Sequence, residues 1–255
     1  MSDGWNPEQY NRYASERELP FWDLVGLLRP VSSCRVADLG CGDGRLSAEL
    51  GFRVGAHSVL GVDASTAMLK AATHWTDERV HFERGDIGSW QRPGEFDVIV
   101  ANASLQWVGQ HEAVLGRWAG SLRTGGQLAV QVPANADHPA HRIATQLAGE
   151  LLEDAPEDQV ARNVLAPERY AEILDDLGFV AQHVRLQVYV HHLDSTRDVV
   201  EWMKGTSLTR FKQPFGEARW AQFVDRYRER LLEELGDRAP YVYPFKRILM
   251  WGQLA

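Results

Sequence analysis

Residues 35–44, RVADLGCGDG, run from a short apolar stretch straight into glycines at alternate positions. The apolar run is too short for a helix and is bounded by glycine, which predicts a buried parallel strand over 35–39. Gly40, Gly42 and Gly44 then let the backbone turn tightly and approach a ligand with no Cβ in the way. The loop opens a helix whose free N–H groups favour a negatively charged group. A dinucleotide fingerprint, G-x-G-x-x-G, would need its last glycine at position 45, where Arg45 stands, so the nicotinamide reading loses a member. Asp63 closes the next apolar run, and an acidic side chain there can accept both hydroxyls of a ribose. A glycine-rich turn alone can be a plain strand-to-helix connection; strand, loop, helix, strand and acidic end together point to a nucleoside cofactor.

Working outward, further strands are expected at 58–62, 79–82, 96–101 and 127–132, alternating with helices at 65–75 and 111–122. Ser65 is placed to cap the first of these helices with its hydroxyl. Alternation of this kind implies right-handed crossovers. The fold class is therefore α/β, with a doubly wound, mostly parallel sheet. Beyond it, helices are expected at 137–154, 167–177, 196–204 and 217–235, with Pro167 in a first turn and Gly178 as a stop. Strands are expected at 179–192 and 241–251, the latter broken or edged by Pro244. No linker divides the chain, so a single domain over 1–255 is expected: an N-terminal helical segment (1–30), a cofactor-binding core (31–133), cap helices and a strand (134–240) and a final strand (241–255).

The chain has 255 residues, with 27 Lys and Arg against 35 Asp and Glu, a net charge of −8. An acidic chain with no basic run is a poor partner for nucleic acid, where phosphate neutralisation supplies most of the affinity. No apolar run reaches the ~20 residues of a membrane span, and the N-terminus lacks the pattern of a signal peptide. Cys34 and Cys41 have neither disulfide-framework nor zinc spacing, so a reducing cytoplasm is expected. No metal-ligand spacing is found; the adjacent His191 and His192 read as a polar strand end.

The D-x-G-x-G-x-G pattern at 38–44, followed by Asp63, resembles the class I S-adenosylmethionine-dependent methyltransferases over roughly residues 35–133. This resemblance implies a seven-stranded Rossmann-like sheet and S-adenosylmethionine as cofactor, with S-adenosylhomocysteine as product. It implies that Asp38, Gly40, Gly42 and Gly44 form the cofactor loop and that Asp63 holds the ribose. Asp86, in GDI at 85–87, would receive the adenine amino group, with Ile87 and Met68 packing on the ring; Met68 as plain helix core is an equal alternative. Asn102, ending the fourth strand, joins the cofactor set. The strand runs into ANASLQW (101–107), which lacks the Pro-Pro-aromatic run of amide and base N-methylating enzymes and is similar to small-molecule carboxyl O-methyltransferases.

Several segments resemble the trans-aconitate methyltransferase family in particular. They are WNPEQYNRYASERELPFWDLVGLL from Trp5, VQVPANADHPAHR at 130–142, VVEWMKGTSL at 199–208 and the tail YPFKRILMW. The resemblance implies a monomethyl ester of trans-aconitate or of a related small polycarboxylic acid as product. Another small acid, a natural-product hydroxyl or a carrier-bound malonyl group is the alternative substrate class. A carboxylate is ionised near pH 7 and needs no general base, so the protein's task is to orient it and exclude water. Tyr10, Gln106 and Trp107 are the expected orienting residues, with Trp107 as core packing the alternative. Arg17, Arg247, Lys204 and Arg142 are the expected carboxylate-binding cations, since guanidinium pairs carboxylate bidentately; each could instead be a solvated surface residue.

Overall fold

A computed structural model describes residues 14–255, with side chains from Glu18 onward. Its elements are α1 (Ala14–Val25), β1 (Arg35–Leu39), α2 (Arg45–Arg53), β2 (Ser58–Asp63), α3 (Thr66–Ala72), β3 (Val80–Arg84), β4 (Phe96–Asn102), α4 (His111–Gly120) and β5 (Leu122–Pro133). They continue as α5 (Pro139–Leu151), α6 (Gln159–Asn163), α7 (Pro167–Asp176), β6 (Phe179–Leu193), α8 (Arg197–Lys204), α9 (Thr209–Leu235) and β7 (Tyr241–Leu254). The residues gather into two compact units.

The larger unit comprises Leu19–Pro133, Asn163–Gln187 and Arg247–Ala255. It is built on a seven-stranded sheet of order β3-β2-β1-β4-β5-β7-β6, in which β3, β2, β1, β4 and β5 pair in parallel and β7 runs antiparallel to β5. This is the doubly wound, mostly parallel sheet expected. The central strands are apolar on both faces: Val36, Ala37 and Leu39 of β1 and Ile99, Val100 and Ala101 of β4 are fully buried, as helices on both sides of a parallel sheet require. β1 matches its expected range residue for residue. Ser65 caps α3 by accepting from Met68 N at 3.3 Å, Pro167 opens α7, and Gly178 (φ 85) follows its end.

Several boundaries differ from expectation for identifiable reasons. The helix expected over 111–122 stops at Gly120, because Leu122 already pairs with Phe96 at the start of β4. The helix expected over 65–75 ends at Ala72, and Thr73–Trp75 tightens into a 3-10 turn. Strand β7 continues through Pro244 instead of breaking there; Pro244 lies outside the β5 pairing, which begins at Arg247.

The second unit takes in Ala134–Arg162 and Val188–Lys246. Its core joins Ile143, Ala144 and Leu147 of α5 and Val199, Trp202 and Met203 of α8 to Phe211, Phe223 and Tyr227 of α9, closed by Tyr241, Tyr243 and Phe245. α9 is two helices merged across Gly216 (φ 63, ψ 169). Its longer arm is the helix expected at 217–235; the shorter arm, which contains Pro214, is not among the helices expected.

Candidate active site

The carboxyl end of the sheet collects the glycine loop and three acidic side chains. Gly40, Gly42 and Gly44 all have left-handed φ, at 85°, 58° and 78°. A Cβ on Gly40 would stand 2.2 Å from Ser104 Cβ, and one on Gly44 2.5 Å from the Phe82 ring. Both positions therefore demand glycine on two counts, conformation and space. At Gly42 a Cβ would meet nothing within 4 Å, so this turn of the loop faces open space instead of protein.

Asp38 is buried at the end of β1 and accepts from Ser47 Oγ at 2.5 Å. Burial pushes its carboxyl up to about 6; the Ser47 hydrogen bond opposes that rise and the charge of Asp63 adds to it. Asp63 fixes the loop: its Oδ2 accepts from Gly42 N at 2.9 Å and its Oδ1 from Ser65 N at 2.8 Å. A carboxylate has about four acceptor sites, so both oxygens can still take a hydroxyl. Asp86 is exposed and orders its own turn, accepting from Gly88 N at 2.9 Å. The same segment is held from α4, where Trp118 Nε1 donates to Ile87 O at 3.0 Å and Arg117 Nε to Gly88 O at 2.9 Å. Met68 is half-buried on α3 and Ile87 is buried.

Past β4 the chain turns sharply at Ala103, a residue with a side chain in the left-handed region (φ 51). Strain of this kind persists only where the surroundings over-determine it. Here Ala103 N donates to Gln131 O at 2.9 Å, Gln106 Nε2 donates to Ala103 O at 2.6 Å, and Ser104 Oγ donates to Leu39 O at 2.6 Å. The Leu105–Trp107 turn is braced by His111. Its Nε2 lies 3.0 Å from both Leu105 O and Val108 O, and its Nδ1 lies 2.7 Å from Tyr170 Oη. Two carbonyls at Nε2 require the proton there, so Nδ1 accepts from the tyrosine. Burial lowers the His111 pKa and pushes Tyr170 up to about 12, so both groups stay neutral. Buried polar atoms in native folds are almost always paired, yet Asn102 Oδ1 and Gln106 Oε1 have no partner among the described residues.

The acceptors, the glycine cradle and the unpaired Asn102 oxygen suit a group that carries hydroxyls, an amine and positive charge. A methyltransferase domain matches residues 36–126. A trans-aconitate 2-methyltransferase of Deinococcus radiodurans is 39% identical over 96% of both chains. Another, from Mycobacterium tuberculosis, is 32% identical over 98% of this chain and 97% of its own. The chain belongs to the trans-aconitate 2-methyltransferase family. It is an enzyme, a methyltransferase dependent on S-adenosylmethionine. In fold it resembles the YcgJ protein of Bacillus subtilis, at 16% identity and TM-score 0.56 over 94% of this chain and 98% of that one. It also resembles a Haemonchus contortus phosphoethanolamine N-methyltransferase, solved with S-adenosylhomocysteine, at 17% identity and TM-score 0.55 over 95% of this chain and 52% of that one.

The family's substrate-side segments place their polar residues in different surroundings. Gln106 is buried, whereas Trp107 is 45% exposed and is not core packing. Arg247 is buried at the start of the β5–β7 pairing and donates from Nη1 to Gln131 Oε1 at 3.2 Å. In the second unit, Arg142 is exposed on α5 and ion-paired with Glu234 of α9. Lys204 ends α8 and pairs with Glu201, Nζ to Oε2 at 2.9 Å. Both cations are thus already matched by a carboxylate. Tyr10 lies outside the described residues, as does the side chain of Arg17. Among the described residues no group of His, Cys, Asp or Glu gathers as a metal site, and no helix is long and apolar enough to cross a membrane.

Ser47, Ser104 and Gln131 were missed by sequence reading. Ser47 and Ser104 find their partners, Asp38 and Leu39, only through the fold. Gln131 left a trace, being a polar residue inside the otherwise apolar run LAVQV.

Proposed function

We propose that this enzyme transfers the methyl group of S-adenosylmethionine to a carboxylate oxygen of trans-aconitate, giving a monomethyl ester. The near-full-length similarity to trans-aconitate 2-methyltransferases carries this reading. The buried Arg247 beside unpaired polar groups at the carboxyl end of the sheet supports it. Asp38, Asp63, Asp86, Asn102 and the loop of Gly40, Gly42 and Gly44 hold the cofactor in this reading, with Met68 and Ile87 against its base. When bound, the cofactor supplies a methyl made electrophilic by the adjacent positive sulfur.

The chain's own work is positional. A carboxylate is a ready nucleophile at neutral pH, and no base is needed to remove a proton from it. Its negative charge disappears as the ester forms, so its orientation rests on donors that hold the acid's other oxygens. Arg247 is the cation on which we place that role first; Arg17, whose side chain is outside the described residues, is the second. Arg142 and Lys204, already paired with Glu234 and Glu201, act only if substrate displaces those partners. Gln106 and Trp107 line the strained turn after β4, and Tyr10 remains assigned to orientation by its segment. We place the reaction in the cytoplasm, in keeping with two free, buried thiols at Cys34 and Cys41.

The test is turnover of a panel of small acids with methyl-labelled cofactor. A base-labile labelled product, formed best from trans-aconitate among di- and tricarboxylates, is expected. A base-stable product would overturn carboxyl methylation; a preference for monoacids would overturn the substrate class.

A further inference from the structure

Strand β5 carries two fully buried glutamines on one face, Gln127 and Gln131, since residues an even number apart in a strand point the same way. Their surroundings differ sharply. Gln127 is satisfied at both ends: its Oε1 accepts from Arg29 N at 2.8 Å and Trp251 Nε1 at 2.9 Å, and its Nε2 donates to Arg29 O at 3.0 Å. Gln131 is satisfied at one end only. Its Oε1 accepts from Arg247 Nη1, while its Nε2, buried, has no partner among the described residues.

The orientation of that amide is not arbitrary. A guanidinium only donates, so it selects the oxygen of Gln131 and leaves the nitrogen, with its two hydrogens, turned elsewhere. The sheet register says where this happens. Gln131 is opposite Asn102 at the end of β4, and Val100 of β4 is opposite Asp38. Opposed residues share a face, so Asn102 and Gln131 stand side by side on strands ~4.8 Å apart, and Asp38 lies on the same face two residues nearer the amino end. Arg247, opposite Pro133 of β5, belongs to the same face. Across this face the polar character changes. Asp38 and Asn102 Oδ1 are acceptors; Gln131 Nε2 and the Arg247 guanidinium are donors.

We propose that Gln131 Nε2 is a substrate-binding donor, holding a carboxylate oxygen of the acid while Gln131 Oε1 anchors Arg247. This rests on the carboxylate-methylating function proposed above. Acceptors on β1 and β4 suit the cationic, hydroxyl-bearing cofactor, and donors on β5 and β7 suit the anion, so the two reactants are sorted by the sign of what the strands offer. On this side of the face, Gln131 Nε2 is a buried donor left without a partner among the described residues.

The experiment titrates trans-aconitate into the full chain preloaded with S-adenosylhomocysteine, for wild type, Gln131→Glu and Gln131→Met, with KM and kcat measured in parallel. Gln131→Glu keeps an acceptor for Arg247 but removes the donor and adds a negative charge. It should weaken trans-aconitate more than tenfold and raise KM accordingly, with S-adenosylhomocysteine affinity within twofold of wild type. Gln131→Met, which removes both functions without adding charge, should weaken the acid by a smaller factor, still above threefold. Thermal melts establish that both variants fold. Unchanged affinity for the acid in a folded Gln131→Glu variant would overturn the proposal, and so would an equal loss of cofactor affinity, which would make the role structural. Wild type that makes base-labile esters while the variants keep its KM sinks this inference alone; wild type that neither binds nor methylates polycarboxylates sinks the proposed function with it.

Discussion

The two edges of the sheet are built on opposite terms. At the amino edge, where β1, β4 and β5 begin, charge is matched with charge. Arg35 N donates to Asp97 Oδ2 at 2.7 Å, Arg35 Nη2 reaches Glu95 Oε1 at 2.5 Å, and Arg123 Nη1 lies 3.3 Å from Asp97 Oδ1. At the carboxyl edge of the same strands stand a carboxyl forced upward in pKa, a strained Ala103 and three atoms with no partner among the described residues, Asn102 Oδ1, Gln106 Oε1 and Gln131 Nε2. One edge spends its polar groups on the fold, and the other leaves several of them unpaired among the described residues. Open α/β sheets bind at the carboxyl ends of their strands, and here the contrast is legible atom by atom.

The largest expected effect is at Asp63. Replacing it with Ala removes the acceptor of Gly42 N and Ser65 N together with the proposed ribose ligand. Cofactor binding by calorimetry should fall by at least 100-fold, about 2.7 kcal/mol. Near-normal affinity would mean that the carboxyl edge is not where the cofactor is held.

A smaller effect, with a defined pH dependence, is expected at Asp38. Its folded pKa, about 6, is above the ordinary 3.8, so the folded protein without cofactor holds a proton there that the unfolded chain gives up. Ionised Asp38 therefore costs stability. The cost is absent below about pH 3.8, grows between there and pH 6, and is complete above it. At 1.36 kcal/mol per pH unit the ceiling is about 3 kcal/mol. Asp38→Asn without cofactor should gain on wild type as pH rises from 4 to 7 in denaturant titrations, while losing cofactor affinity. A stability difference that is flat with pH would erase the electrostatic contrast between the edges.

The smallest effect is expected at the amino edge. Arg123 is 44% exposed at its side chain, and exposed pairs contribute ~0.2–1 kcal/mol. Arg123→Ala should shift stability within that range and leave kcat/KM unchanged; a marked loss of activity would show that this edge is not merely structural.

How much of this the sequence disclosed follows from how local each signal is. The glycine loop and β1 were legible because an apolar run and positive-φ glycines are encoded within ten residues. Ser65 and Pro167 were legible for the same reason, each acting on the turn it begins. Ser104 was not, because its role is to donate to Leu39 and to face Gly40, both on another strand. The four cations inferred from the family's segments read alike in sequence. Only the fold separates Arg247, buried against Gln131, from Arg142 and Lys204, each facing a glutamate. The break at Gly216 falls just before the helix expected from 217, whereas strand β7 runs on through Pro244 where a break or an edge is expected.

Cys41, between two glycines of the cofactor loop, is 8% exposed, and its thiol is pushed far up in pKa by burial first and then by Asp38 and Asp63. In an enzyme that handles an alkylating agent this has a protective meaning. A thiolate would be a better nucleophile toward methyl than any carboxylate, whereas a neutral thiol is a poor one. Burial first, and the two carboxylates proposed to hold the cofactor second, thus keep the proton on this thiol, which leaves it a poor acceptor for the methyl group.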